Sequence, residues 1–289
     1  MTTNPLPAAA AGTWKLGSFE VNRLGFGAMR LVATSDWQVR DRETALAVLR
    51  RAVELGVNHI DTAAFYFLGP RSANELINRA LAPYDDLVIT TKVGPGRDFE
   101  GTFSTARPDQ LRAQVEENLR QLGLDHLDVV NYRIGETLDR GTGSLAEGFG
   151  VLAELREAGM IRELGISNVG PEHLTEALAI APVVCVQNQY GLTTRREDDE
   201  LVRMCAERGI AFVPFFAVTS GSAEDTRVAE VARRHDVTPA QVRLAWTLHQ
   251  GPHVLAIPGT GDLAHLEQNV AAAALKLTED DLKALDGEG

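Results

Sequence analysis

The chain has almost no cysteine: Cys185 and Cys205 are the only two in 289 residues. So sparse a pair excludes a disulfide framework and a thiolate zinc site. Cys185 sits in the apolar run Val183-Val184-Cys185-Val186, and Cys205 lies four residues after Leu201 in a helical pattern. Both read as core packing. Basic residues are outnumbered, 28 against 40 acidic ones, for a formal net charge of -12. That balance disfavours nucleic acid as a partner. It does not count against an anionic cofactor, which needs only local donors. No run approaches the roughly 18 consecutive apolar residues of a membrane span. Met1 to Ala11 has neither the basic start nor the apolar stretch of a secretory signal. The expectation is a cytoplasmic protein with no membrane segment. Long Pro/Gly/Ser linkers and internal repeats are also missing, so nothing divides the chain.

What the sequence does have is a regular alternation of short apolar runs with amphipathic helical patterns. Met1 to Gly12 reads as a flexible tail, and Trp14 to Leu24 alternates around Gly17 like a short hairpin. Strand–helix units follow, with strands at Arg23–Gly27, Val57–Asp61, Leu87–Lys92 and Leu127–Tyr132, then at Ile161–Ile166, Val183–Val186, Ile210–Phe215 and Val254–Ile257. The helix signals between them are physical ones. Gly56 ends the first helix as a left-handed cap, Pro108 opens the third at a favoured first-turn position, and Thr238-Pro239-Ala240-Gln241 is a capping box. A helix is expected from Arg196 to Glu207, and further helices beyond the eighth strand, the last capped by Thr278 with Asp281 three residues on. Eight such units predict a closed (β/α)8 barrel over residues 13–289. The doubly wound alternative normally carries G-x-G-x-x-G at its first helix. Here Gly25-Phe26-Gly27-Ala28-Met29 lacks the third glycine and stands about a dozen residues from the helix.

In a barrel of this kind chemistry gathers at the C-terminal ends of the strands. The second strand ends in Asp61, the third in Lys92, and the fourth runs into Arg133; Tyr66 follows a few residues after Asp61. A lysine at the inner rim loses solvation, and a neighbouring carboxylate keeps it charged. A cation beside a phenol favours release of its proton, so Tyr66 is suited to deliver a proton near neutral pH. This combination fits reduction of a carbonyl, where negative charge develops on oxygen. A different chemistry is open at His59 and Asp61. They stand two apart on one strand and so face the same side, as in an H-x-D metal pair. No other histidine falls at a strand end, and no metal site is expected.

The motifs Asp61-Thr62-Ala63-Ala64-Phe65-Tyr66, Thr90-Thr91-Lys92-Val93, Gly165-Ile166-Ser167-Asn168-Val169 and Ile257-Pro258-Gly259-Thr260, with His265-Leu266-Glu267-Gln268-Asn269, each follow the expected strand. In them the chain resembles the aldo-keto reductases from about Leu24 to Leu285. The resemblance implies an NADPH-dependent oxidoreductase acting on a small carbonyl compound, with NADH left open. It assigns Asp61, Tyr66 and Lys92 to a catalytic tetrad, Tyr66 as general acid. The fourth member is usually histidine; the matching position here is Arg133, a permanent cation that can polarise a carbonyl but not relay a proton. Ser167, Asn168 and Gln187 are implied for the nicotinamide carboxamide, and Phe215 for stacking on the ring. Ala28 and Met29 are further implied cofactor contacts. Gly259, Thr260, His265, Gln268 and Asn269 are implied for the adenosine and its phosphate, although 259–269 contains no Arg or Lys. The pattern is most similar to the bacterial pyridoxal reductase branch, pointing to pyridoxal or another aromatic aldehyde. Ala217-Val218-Thr219-Ser220-Gly221 departs from that branch, which leaves ketone reduction in specialised metabolism open. A cofactor-binding redox sensor of low turnover is the remaining alternative.

Overall fold

A computed structural model describes residues 7–34, 36–98, 100–135, 140–193, 198–218 and 225–287. Seven parallel strands form one curled sheet. In chain order they are Phe26–Gly27, His59–Asp61, Val88–Val93, Leu127–Arg133, Ile161–Ser167, Cys185–Gln187 and Ala211–Phe212. The eighth expected strand is present as a shorter connection. Ala256 bridges Leu24 and Val254 bridges Phe212, both parallel. Four backbone hydrogen bonds of 2.8–2.9 Å tie residues 253–256 to both edges of the sheet. The sheet therefore closes into a (β/α)8 barrel. The seventh strand is also shorter than expected. Pro214 has no N–H to give to a ladder, and pairing beyond it shrinks to one bridge between Phe215 and Gln189.

Side chains alternate across each strand, and the alternation divides the core in two. Ile89 and Val93 face outward into the large layer between strands and helices, whereas Val88 joins a smaller cluster inside the barrel with Val129, Cys185, Ala211, Val213 and Leu255. Leu16 and Val21 also belong to the inner cluster. They come from the antiparallel hairpin Thr13–Leu16/Phe19–Asn22, which lies across the N-terminal end of the barrel. Ser18 N donates to Glu163 Oε1 at 2.8 Å and Asn22 N to Asn58 Oδ1 at 2.7 Å, which fastens this plug. With the bottom sealed by apolar side chains, polar inward residues are left to the opposite end.

The helices pack outside, each signalled by its caps. Asp41 accepts from Thr44 N ahead of Arg42–Glu54, Pro108 begins Pro108–Leu122, and Thr238 caps Pro239–His249 with the reciprocal Gln241 bond. The sixth-strand helix is Asp199–Arg208, and the expected start at Arg196 lies outside the described residues. Beyond the eighth segment come Leu263–Ala271 and Glu279–Asp286. The first residues differ from expectation. Pro7–Ala11 is a 3-10 turn whose Ala8 is fully buried, with its N–H on Leu55 O at 3.0 Å. An alanine-rich stretch looks like tail by composition, yet its small side chains pack closely against the equally alanine-rich turn Ala272–Ala274. Residues 1–6 of the expected tail lie outside the described residues.

Two short antiparallel pairs were not anticipated. Phe67–Leu68 pairs with Arg71–Ser72, and Pro95–Arg97 pairs with Phe103–Thr105. Both rise from the C-terminal rim, after the second and third barrel strands.

Candidate active site

Inward positions two residues apart on each strand bring the top of the barrel together. Asp61, Arg133, Ser167 and Gln187 end their strands on the inner side, Lys92 stands one residue before the end of its own, and all five are 9% exposed or less. Lys92 Nζ is 2.6 Å from Asp61 Oδ1 and donates to Thr62 O at 3.0 Å. Burial opposes the ammonium charge, but Asp61 and Tyr66 outweigh it and hold Lys92 above the ordinary lysine range. The same Nζ stands 4.9 Å from the Tyr66 ring centroid. Asp61 is shared, since its Oδ2 accepts from Gln187 Nε2 at 2.8 Å. Arg133 lies with its guanidinium 5.2 Å from the Phe215 ring. Burial draws Arg133 downward, with Tyr66 and Asp61 opposing; a guanidinium so placed stays cationic at neutral pH.

The strand carrying Lys92 is stiffened from behind. Thr91, facing outward, donates to Asn118 Oδ1 at 2.6 Å, and Asn74 Nδ2 donates to the same oxygen at 3.0 Å. Thr62 closes the set by donating to Asn74 Oδ1 at 2.8 Å. Buried networks in which each member is satisfied rigidify what they touch. Here they hold the two strand ends that deliver Asp61 and Lys92.

A cavity of about 510 Å³ opens above these residues, lined by Asp61, Tyr66 and Arg133 among others. Of the expected cofactor residues, Met29, Phe215, Gly259 and Asn269 line it. Ser167, Asn168 and Gln187 lie buried at neighbouring strand ends, outside its lining. Asn168 takes a left-handed φ of 62°, a conformation that asparagine tolerates better than most residues, and its N–H donates to Gln187 O at 3.1 Å. Ser167 Oγ and Gln187 Oε1 are buried with no hydrogen-bond partner. A hydroxyl and an amide oxygen left open together fit a carboxamide, which both donates and accepts. Ala28 is buried in the turn Ala28–Leu31 and does not reach the cavity. Thr260 caps its own loop, its Oγ1 accepting from Asp262 N at 3.1 Å. His265 and Gln268 are exposed on the helix Leu263–Ala271. Asp262 is that helix's N-cap, accepting from His265 N at 2.9 Å.

Several residues at the site escaped the sequence reading. Arg40 crosses to the segment that lacked a cation: its Nη1 donates to Gly261 O at 2.9 Å, and its other nitrogens reach Arg30 O and Ala33 O at 3.2 Å. Arg30, Trp37, Phe67, Arg97 and Phe103 line the cavity. They come from loops and two- or three-residue strands, which leave no periodic signal. The only clue is the density of aromatics in Phe65-Tyr66-Phe67. Thr219 to Gly221, where the sequence departs from its nearest pattern, lie outside the described residues.

The metal reading of His59 and Asp61 finds no further ligands. Among the described residues no group of three or more His, Cys, Asp or Glu could hold an ion. His59 Nε2 is 3.0 Å from Thr90 Oγ1, and burial first of all depresses its pKa to about 4, so the ring is neutral. Both cysteines are buried free thiols, as expected of core residues. Among the described residues, no helix is long and apolar enough to cross a membrane.

Known proteins share this architecture. The family model described as the aldo/keto reductase family matches residues 23–288. A pyridoxine 4-dehydrogenase of Escherichia coli K12 is 44% identical over 284 residues, covering 96% of this chain and 98% of that one. A thermostable aldo-keto reductase crystallised with the inhibitor epalrestat is 30% identical, with a TM-score of 0.79, covering 96% of this chain and 99% of its own. An aldo/keto reductase of Klebsiella pneumoniae, solved with NADP and acetate, is 26% identical with a TM-score of 0.75, covering 93% and 92%. With its closed barrel and its buried lysine–aspartate pair beside a tyrosine, the chain belongs to the aldo/keto reductase family, whose members are NAD(P)H-dependent oxidoreductases.

Proposed function

We propose that this protein reduces an aromatic aldehyde, pyridoxal foremost, with NADPH, and that Tyr66 donates the proton. The observation that carries the reading is the buried Lys92 ammonium, fixed by Asp61 at 2.6 Å and standing 4.9 Å from the ring of Tyr66, which lines the cavity. When bound, the nicotinamide supplies the hydride. Ser167 and Gln187, whose buried Oγ and Oε1 lack partners, would hold its carboxamide, and Phe215 would offer an aromatic face to the ring. As charge develops on the carbonyl oxygen, Tyr66 transfers its hydroxyl proton there. Lys92 and Arg133 stabilise the phenolate that remains. Arg133 also polarises the carbonyl, and Tyr66 works without a histidine relay. The apolar walls keep water from the reacting atoms.

A phosphate-bearing cofactor is supported by Arg40, held on Gly261 beside the expected adenosine segment, and by the NADP bound to the Klebsiella neighbour. The relative named for pyridoxine supports the substrate class, and the reaction can run toward alcohol or aldehyde.

NADPH consumption against pyridoxal, aromatic aldehydes and cyclic ketones tests the reading, with Tyr66→Phe as the control. Loss of general-acid catalysis costs about 10²- to 10⁴-fold in kcat. Near wild-type turnover by that variant would sink the mechanism. Arg133→Met is expected to lower kcat/KM while leaving NADPH affinity in place; untouched carbonyl kinetics would refute the role of Arg133.

A further inference from the structure

Arg97 has no part in the chemistry above, yet it lines the same cavity. Its guanidinium lies 5.2 Å from the Phe67 ring and 5.5 Å from the Phe103 ring, wedged between the two rim hairpins. Nη1 donates to Phe67 O at 2.7 Å, which fixes the plane of the group. Nε is buried and has no hydrogen-bond partner. The adjacent Asp98 carboxylate serves its own turn, accepting from Thr102 N at 2.8 Å. A guanidinium stacked on aromatic faces with an unused N–H suits planar recognition of an anionic oxygen group.

The place of Arg97 relative to the reacting end follows from a chain of rings. Phe65 meets Tyr66 edge to face at 5.2 Å and meets Phe103 at 6.1 Å, and Phe103 carries Arg97. An aromatic substrate with its carbonyl at Tyr66 would lie along this wall. The charge of the lining agrees. Arg30, Arg97 and Arg133 face one carboxylate, Asp61, which Lys92 already balances. In a protein of net charge -12 such a local excess of cations concentrates anions in the cavity.

We propose that Arg97, with Phe67 and Phe103, forms a subsite for an anionic oxygen group on the far side of an aromatic carbonyl substrate, so that among benzaldehydes, which lack the ring nitrogen and hydroxyls of pyridoxal, those carrying a carboxylate bind better than their neutral counterparts. The proposal rests on the reductase reading. Its test compares 4-carboxybenzaldehyde with 4-formylbenzamide, which has nearly the same shape without the charge. Wild type should show about ten-fold lower KM for the carboxylate, the usual scale of a charge-assisted hydrogen bond. Arg97→Met should bring the ratio of the two KM values to near one, and Arg97→Lys should recover part of it. Arg97→Gln serves as a second neutral variant should the methionine disturb the hairpins. Retention of the carboxylate preference in both neutral variants would overturn the proposal, as would absence of that preference in wild type. Calorimetric binding of the corresponding alcohols, 4-(hydroxymethyl)benzoate and 4-(hydroxymethyl)benzamide, reads the subsite without turnover. If pyridoxal and both of these aldehydes go unreduced, the aromatic-aldehyde reading fails, while a charge preference in binding that vanishes on removing Arg97 still upholds the subsite.

Discussion

His59 sits one inward position below Asp61, and its burial gives the strand His59–Asp61 an acid liability. An unfolded imidazole takes up a proton near pH 6.5, whereas the folded one resists until about 4. A depressed folded pKa contributes stability that is fully present above pH 6.5 and is lost as pH falls toward 4. The loss by pH 4 is about 3 kcal/mol, taking 1.36 kcal/mol per pKa unit. Denaturant unfolding of wild type and His59→Gln at pH 7.5 and pH 4 measures it. The variant should lose roughly that much less stability on acidification, and equal acid losses would contradict the assignment. The identities of Asp61, Lys92 and Arg133 at strand ends were legible in the sequence because period-two strands place such residues predictably. The sharing of Asp61 between Lys92 and Gln187 was not, since those residues meet across the barrel and lie up to 126 positions apart.

At the scale of elements, the third and fourth strands approach so closely at the rim that one position admits no side chain. Gly94 has φ of 118°, and a Cβ there would lie 2.1 Å from Arg133 O. Gly94→Ala must therefore push the Arg133 backbone aside and strain its own. Strain of this kind costs about 1–3 kcal/mol. Displacement of Arg133 should also lower kcat/KM by about ten-fold or more, since small misplacements at a reacting centre carry large penalties. Melting and steady-state kinetics together check this; a variant matching wild type in both would refute the close approach. The long strands and capped helices were readable from periodicity and capping chemistry, because each carries its signal locally. The hairpins Phe67–Ser72 and Pro95–Thr105 were not, because two or three residues per strand show no alternation. They nevertheless carry Phe67, Arg97 and Phe103, the wall that is proposed to select the substrate.

For the whole molecule, the decisive joint is the seam where residues 253–256 close the barrel. Arg23 fastens it from the bend ahead of the first strand: Nε donates to Val254 O at 3.2 Å, Nη1 to Ala11 O at 3.1 Å, and Nη2 to Gly251 O at 2.6 Å and also to Leu248 O. One side chain thus satisfies carbonyls of the N-terminal turn, the preceding helix and the closing segment. Arg23→Met keeps much of the stem's packing but leaves four acceptors without their donor. At about 1–3 kcal/mol for each acceptor left buried and unsatisfied, partly relieved by water, a net loss of roughly 3 kcal/mol is expected. A shift of the denaturant midpoint with unchanged slope would register it. A loss below about 0.5 kcal/mol would mean that the seam does not depend on Arg23.

The sequence by itself determined the succession of strands and helices and the delivery of Asp61, Lys92 and Arg133 to one end. Each of those follows from local spacing: two residues per strand repeat, 3.6 per helical turn, and caps at the joints. It also carried the motifs of the family to which the chain belongs. Tertiary structure alone decided which loop residues join Asp61, Lys92 and Arg133 and how the chain's ends pack. The 3-10 turn of Pro7–Ala11 folds against residues more than 250 positions away, Arg40 reaches Gly261 from another loop, and Arg97 is sandwiched by rings from two hairpins. Contacts of that kind depend on how the closed barrel brings its loops together in space, and that has no counterpart in the spacing of residues along the chain.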